Sequence, residues 1–146
     1  MGSIFFDRVY GGKIFIDKCK NVDAINMKKV WIVDDDQEMG HAVSLMLKLL
    51  DCDAKHFLSA RSAAQALLSG GRPQLFILDI NMPEVTGLDF LEFIRRRAEW
   101  KDIPAIMLST ESQDATVDRA RELGANGFVG KPVTLEELEA EINKVL

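Results

Sequence analysis

The chain has 146 residues, of which 47% are hydrophobic and 28% charged, so its composition is typical of a globular domain and not of a disordered chain. The 18 basic and 23 acidic residues give a formal net charge of −5, which argues against nucleic acid as a partner because no basic excess is available to neutralise phosphates. No apolar run reaches membrane-spanning length, and two widely separated cysteines favour a reduced, cytoplasmic setting without membrane partners.

The first 27 residues do not share the pattern of the rest of the chain. We interpret residues 1–27 as an N-terminal extension, and residues 28–146 as the functional domain. An upstream segment outside the functional core is the simpler interpretation. The alternative is an extra strand pair around Gly11-Gly12 that serves oligomerisation.

From residue 29 onward, short β-branched or aromatic runs alternate with longer segments of helical periodicity. Several of the short runs are continuously apolar, as strands covered on both faces are. Five βα units in succession indicate a parallel sheet with helices on both faces. The predicted strands are KVWIV (29–33), DAKHFL (53–58), QLFILD (74–79), PAIMLS (104–109) and GFVGK (127–131).

Helical periodicity is clearest over residues 36–50 and 134–146, where apolar side chains recur at intervals of three and four. The first of these helices is predicted to begin at Asp36, because a negative charge is favourable at a helix N-terminus. The second opens with Thr134 and Glu137, whose spacing is that of a capping box.

Two histidines and a run of arginines receive a structural interpretation. His41 and His56 are predicted to be surface or boundary residues, since nothing pairs them as metal ligands. The run 95–97, three consecutive arginines, is interpreted as the solvated C-terminus of a helix, where positive charge is favoured.

Polar side chains follow four of the five predicted strands. Asp34 and Asp35 come directly after the first strand, and Asp79 ends the third. Ser109 ends the fourth strand and Lys131 the fifth. We expect these groups to converge, because ligands of parallel α/β sheets bind at the carboxyl ends of the strands. Oxygen ligands without histidine or cysteine suit Mg²⁺, and a lysine supplies positive charge for a phosphoryl group.

These strand ends lie in four motifs: IVDD (32–35), LDINMPEVTG (78–87), IMLST (106–110) and KP (131–132). The intervals are 44 residues from Asp35 to Asp79, 30 from Asp79 to Ser109 and 22 from Ser109 to Lys131. In order and spacing the motifs resemble the receiver domain of two-component response regulators, over residues 28–146. The resemblance implies an α/β fold of the flavodoxin-like kind, a doubly wound (βα)5 with a five-stranded parallel sheet in the order 2-1-3-4-5.

The resemblance also implies a phosphorylation-controlled signalling module that catalyses only its own phosphorylation and dephosphorylation. Asp79 would accept a phosphoryl group from the phosphohistidine of a sensor histidine kinase or a histidine phosphotransfer protein. Asp35 and Asp79 would ligate Mg²⁺ directly, and Asn81 would add its backbone carbonyl. Asp34 would act mainly through water.

Phosphate binding and its readout are implied in the same way. Ser109 would hydrogen-bond one phosphoryl oxygen, Lys131 would pair with another, and Pro132 would be the cis-proline of the family. Ser109 and Phe128 would form the switch. The face formed by residues 113–146 would then bind a downstream protein or a second copy of the chain.

Some positions depart from the commonest family pattern. Thr110 stands where a small alanine is usual, and Val133 replaces a frequent phenylalanine. Phe128 occupies a position often held by tyrosine and cannot donate a hydroxyl hydrogen bond. Asn81 and Glu111 would tune hydrolysis of the acyl phosphate, and their polarity predicts a short-lived phosphorylated state.

Two other functions fit parts of the sequence. The segment 79–81 is loosely similar to the D-x-D motif of haloacid-dehalogenase-like phosphotransferases and phosphatases, although its second acid is absent. Multiple turnover on a small phosphoester would favour that class. A phosphate-independent docking module is the other alternative, and the intact set of aspartate, serine and lysine argues against it.

Overall fold

A computed structural model describes residues 27–110 and 114–146. Strands and helices alternate along the chain, and the predicted N-terminal extension lies almost entirely outside the described residues. The strands are β1 (Lys28–Val33), β2 (Cys52–Phe57), β3 (Leu75–Asp79), β4 (Ala105–Ser109) and β5 (Gly127–Gly130). The helices are α1 (Gln37–Leu49), α2 (Ala60–Leu68), α3 (Gly87–Arg95), α4 (Asp114–Glu122) and α5 (Leu135–Val145).

The five strands form one parallel sheet in the order β2-β1-β3-β4-β5, which confirms the predicted fold. Every residue of β3 and β4 is buried, as expected for central strands with helices on both faces. The order places β1 beside β3, with β4 and β5 following on the same side. The carboxyl ends of β1, β3, β4 and β5 therefore lie next to one another.

Two hydrophobic cores lie on the two faces of the sheet. One packs α1 and α5 against the sheet and includes Val43, Leu47, Leu138 and Ile142. The other packs α2, α3 and α4 against the opposite face and is rich in aromatic side chains. Its centre is Phe76, which makes edge-to-face contacts with both Trp31 and Phe90. The sheet is thus covered by a layer of helices on each face.

Side-chain caps set where the helices begin. Asp36 accepts hydrogen bonds from the backbone N–H groups of Glu38 and Met39, so it caps α1 as predicted. Thr134 caps α5 by accepting from the N–H of Glu137 at 3.2 Å, which is the threonine half of the predicted capping box. Over the part of the chain that the structure describes, no helix has both the length and the apolar character needed to cross a membrane.

Candidate functional site

The loop after β1 carries the acidic residues Asp34, Asp35 and Asp36. Asp34 is fully buried, and its Oδ1 accepts a hydrogen bond of 2.9 Å from the backbone N–H of Asp36. Asp35 is exposed, and Asp36 turns away to cap α1. The three consecutive carboxylates therefore have different surroundings, and only the first two face the carboxyl edge of the sheet together with Asp79.

Asp79 is the last residue of β3 and only 3% exposed. Its Oδ1 accepts a long hydrogen bond, 3.4 Å, from the backbone N–H of Asn81. Burial, followed by the negative charge of Asp34, raises the pKa of Asp79 to about 6, although Lys131 and the Asn81 N–H act in the opposite direction. The carboxyl group is thus mostly ionised at neutral pH and more basic than an ordinary aspartate.

Lys131 bridges the two buried carboxylates. Its Nζ lies 3.2 Å from Oδ2 of Asp34 and 3.1 Å from Oδ1 of Asp79. Burial is the largest single influence on the pKa of Lys131 and lowers it, but the two carboxylates outweigh it, so the net shift is upward. The backbone N–H of Lys131 donates to the carbonyl of Ser109 at 2.9 Å, and the Lys131–Pro132 peptide is cis. The lysine therefore approaches the acidic groups from the end of β5.

The carboxylates fit a divalent cation. One oxygen from each of Asp34, Asp35 and Asp79 can lie within 4.8 Å of the other two. Lys131 contacts two of these carboxylates, those of Asp34 and Asp79, and its single positive charge offsets about one of the three negative charges. Mg²⁺ binds carboxylate oxygens and brings two positive charges, so it matches both the ligands and the charge of this site.

Ser109 and Phe128 lie on the two strands at the far side of the sheet. Ser109 is 9% exposed, ends β4 and is paired in register with Gly130 of β5. Phe128 is half-buried, and the guanidinium carbon of Arg121 from α4 lies 5.5 Å from its ring centroid. The ring therefore connects β5 to α4.

The other predicted positions take different places. Thr110 is exposed just past β4, and Val133 is buried in the core beneath α5. Asn81 is exposed beside Asp79. Glu111 lies outside the described residues, so its predicted influence on hydrolysis stays a prediction.

Gly87 and His56 also shape the site, and sequence reasoning gave neither a role. A Cβ added at Gly87 would lie 2.2 Å from the carbonyl oxygen of Asp79, so only glycine lets α3 begin so close to β3. Nε2 of His56 lies 2.7 Å from the backbone oxygen of Asp34. Gly87 was visible as the last residue of the motif at 78–87, whereas His56 lay in a strand with no motif.

The fold and this strand-end arrangement define a class of signalling proteins. A family model described as the response regulator receiver domain matches residues 30–143, and the chain belongs to that family. It is 30% identical to the chemotaxis protein CheY of Pseudomonas aeruginosa over 117 residues, which cover 80% of this chain and 94% of that protein. It is 32% identical to the chemotaxis protein CheY1 of Helicobacter pylori over 122 residues, 81% of this chain and 96% of that one.

Solved structures agree with the sequence relatives. The structure of the chemotaxis response regulator CheY4 of Vibrio cholerae superposes with a TM-score of 0.76 at 30% identity. It covers 83% of this chain and all of that one. The similarity therefore extends over the whole five-stranded unit.

Proposed function

We propose that residues 28–146 form a receiver domain that accepts a phosphoryl group on Asp79. The donor is the phosphohistidine of a histidine kinase or of a histidine phosphotransfer protein, and the reaction depends on Mg²⁺. The response is read out by the face formed by residues 113–146, which we call the output face. The cytoplasmic setting predicted from composition belongs to the same proposal.

One observation carries the proposal: a buried carboxylate of raised pKa is held by a lysine and placed beside two further carboxylates. Burying a carboxylate such as that of Asp79 is unfavourable unless its charge is neutralised, and buried groups of shifted pKa are concentrated at functional sites. Lys131 supplies part of that neutralisation at 3.1 Å. A dianionic phosphoryl group on Asp79 would extend toward the same lysine.

Phosphoryl transfer requires positioning and charge neutralisation more than covalent help from the protein. An oxygen of the Asp79 carboxylate forms the new bond to phosphorus as the phosphorus–nitrogen bond of the donor histidine breaks. The electron pair of that bond returns to the imidazole nitrogen. Lys131 exchanges its contact with Asp79 for one with a phosphoryl oxygen, and Ser109 donates to another.

Mg²⁺ would be held by Asp34, Asp35 and Asp79, with the backbone carbonyl of Asn81 as a further ligand. When bound there, it would offset the negative charge of the phosphoryl oxygens. The exposed Asp35 is the carboxylate that an entering ion reaches from solvent. The buried Asp34 stays fixed by Lys131 and by the N–H of Asp36.

The direct test is intact mass spectrometry of the chain after incubation with acetyl phosphate and Mg²⁺. We expect a gain of one phosphoryl group that is absent in Asp79→Asn and absent with excess EDTA. Asp53→Asn, which alters an exposed aspartate of β2, is the matched control and should be phosphorylated like the wild type. Uptake in Asp79→Asn at the wild-type rate would refute the proposal. Continuous turnover of a small phosphoester would instead support a phosphatase.

Readout is proposed to pass from Ser109 to Phe128. Movement of the serine toward the phosphoryl group would open space for the Phe128 ring, which would leave the guanidinium of Arg121. The output face would then change shape, by no more than the phosphoryl group's differential interaction with the two states allows. Its contact partners are a downstream protein or a second copy of the chain.

Chemical-shift mapping with beryllofluoride and Mg²⁺ tests this readout without a kinase. Wild-type signals from the output face should move as the acidic site saturates. In Ser109→Ala, Asp79 should still be phosphorylated while the output face no longer responds. Phe128→Ala should weaken the response without blocking phosphoryl uptake. An output face that stays unchanged in the wild type, with the acidic site saturated, would rule out this route.

The lifetime of the phosphorylated state is a further part of the proposal. Asn81 is exposed beside Asp79, where its amide can orient a water toward the acyl phosphate. We expect hydrolysis to be fairly fast, as rapid signalling requires. An acyl phosphate that persists for many hours at neutral pH, followed by intact mass, would contradict this expectation.

A further inference from the structure

His56 makes an unexpected contact with the acidic loop. Its ring nitrogen Nε2 lies 2.7 Å from the backbone oxygen of Asp34. A carbonyl oxygen carries no hydrogen, so the histidine must be the donor and Nε2 must bear a proton. In the parallel ladder His56 is opposite Ile32, and its side chain therefore reaches two residues further, to the end of β1.

The hydrogen bond from His56 to Asp34 follows directly after the last backbone hydrogen bond between β1 and β2. The backbone N–H of Asp34 donates to the carbonyl of Phe57 at 3.0 Å, and β2 ends at that residue. The imidazole of His56 then binds the carbonyl of Asp34. Both backbone polar groups of Asp34 are thereby tied to β2, which fixes the peptide planes on both sides of its Cα.

A glycine in α1 provides the space for the ring. A Cβ at Gly40 would lie 2.0 Å from Cε1 of His56 and 2.2 Å from Nε2, so any other residue would collide with the imidazole. Glycine is unfavourable inside a helix compared with alanine. Gly40 therefore weakens α1 at the one place where the ring of His56 packs against it.

We infer that His56 is a positioning residue for the cation site. It is not a ligand; its Nε2–H fixes the carbonyl of Asp34, so that the carboxylates of Asp34 and Asp35 point to a common position. Gly40 is part of the same arrangement, because its lack of a side chain leaves space for the imidazole ring of His56. This inference rests on the Mg²⁺ site of the proposed function and adds a residue that acts on it through the backbone.

Titration of the full chain with Mg²⁺ by calorimetry, without any phosphodonor, tests the inference. His56→Leu fills a similar volume without a donor, and we expect it to bind Mg²⁺ roughly three- to tenfold more weakly, as loss of one hydrogen bond implies. His56→Gln places an amide N–H at about the reach of Nε2 and should stay within about twofold of the wild type. His41→Leu, at an exposed position of α1 next to Gly40, is the matched control and should bind normally.

Nitrogen NMR of the imidazole gives a readout independent of affinity. The wild-type ring should be protonated at Nε2 with a slowly exchanging proton, and its signals should shift when Mg²⁺ is added and return with EDTA. Gly40→Ala should lose that slow proton and bind Mg²⁺ as weakly as His56→Leu. The same alanine combined with His56→Ala should cause no further loss, because the ring it strikes is gone.

Two results would overturn the inference. One is wild-type Mg²⁺ affinity in a natively folded His56→Leu; the other is equal weakening in the leucine and glutamine variants, which would mean that packing and not the donor matters. Failure of the proposed function is distinguishable, because it would appear as missing phosphoryl uptake on Asp79, whereas the Mg²⁺ titration uses no phosphodonor. The proton at Nε2 and the coupling between Gly40 and His56 would still report whether the ring holds the loop.

Discussion

Replacing Gly87 by alanine tests how tightly the site is built against its surroundings. Gly87 is the first residue of α3 and its N–H donates to the carbonyl of Ile80 at 3.1 Å. The added Cβ would lie 2.2 Å from the carbonyl oxygen of Asp79, whereas ordinary contact begins at 3.4 Å, so the backbones must separate by about 1.2 Å. The three nearest atoms all belong to the backbone, and no change of side-chain rotamer can relieve the collision.

The separation should cost both stability and activity. Overpacking of this kind costs about 1–3 kcal/mol, and the better helix propensity of alanine offsets about 1 kcal/mol of it. We therefore expect the free energy of unfolding to fall by up to about 2 kcal/mol. A displacement of about 1 Å at a reacting group lowers rates by about 100-fold, so phosphoryl uptake on Asp79 should suffer more than the fold.

Urea denaturation and the initial rate of phosphoryl uptake from acetyl phosphate measure the two effects separately. Gly130→Ala is the matched control for stability, because a Cβ there meets nothing within 4 Å and its backbone does not need a glycine. If Gly87→Ala has the wild-type urea midpoint and takes up phosphoryl at the wild-type rate, neither stability nor phosphoryl uptake depends on the close contact between Gly87 and Asp79.

Two further predictions concern the metal and the output face. Asp35→Ala should abolish Mg²⁺ binding and phosphorylation while leaving the fold intact, because Asp35 is exposed; phosphorylation at the wild-type rate would show that the metal assignment is wrong. Glu141 on α5 has a lowered pKa, first through its hydrogen bond with Lys144 and also through the N–H of Phe128, partly opposed by burial. Its stabilisation should be complete above the unfolded pKa of about 4.5 and fade as pH falls below it. The difference in urea midpoint between wild type and Glu141→Gln should therefore shrink on acidification, and a constant difference would contradict the assignment.

The sheet could be predicted from the sequence because its signal is local. The first strand was predicted over 29–33 and runs over 28–33, and the third was predicted over 74–79 and runs over 75–79. Each of these two strands is a mostly apolar run that an aspartate ends, at Asp34 and at Asp79, so neighbours in sequence suffice to place it. The strand order came from the family resemblance, since no local pattern specifies which strands are neighbours.

The parallel topology was enough to predict that the site residues lie close together, but not which of them form ion pairs with one another. Parallel strands bring Asp34, Asp79 and Lys131 to one edge whatever their detailed contacts. The family resemblance implies that Lys131 pairs with a phosphoryl oxygen, which stays a prediction, and the structure adds that the lysine bridges the two carboxylates. Those carboxylates are the negative charges that its ammonium contacts, and electrostatic attraction accounts for the pairing.

The burial of Arg95 could not be predicted from its neighbours in the sequence. The arginine was grouped with its two neighbours as a solvated helix end, and those neighbours are exposed. Arg95 is instead half-buried, and its guanidinium donates to the carbonyl of Gly124 at 3.0 and 3.2 Å. The local sequence determines where α3 ends, but the loop that packs over that end determines which arginine is buried. A residue 29 positions away gives no signal in the run of arginines itself.

Glycines are the residues by which the sequence indicated some of these long-range contacts. At five of the described glycines a Cβ would come closer than 3.0 Å to an atom from another part of the chain, and in each case that atom occupies the space. Two of these glycines lie within helices, where alanine would be more stable, so their presence indicates a close approach by something else. Such a glycine locates one partner of a long-range contact without naming the other, which only the folded chain supplies. The pairs are Gly40 with His56, Gly71 with Trp31, Gly87 with Asp79, Gly124 with Arg95, and Gly127 with Glu141.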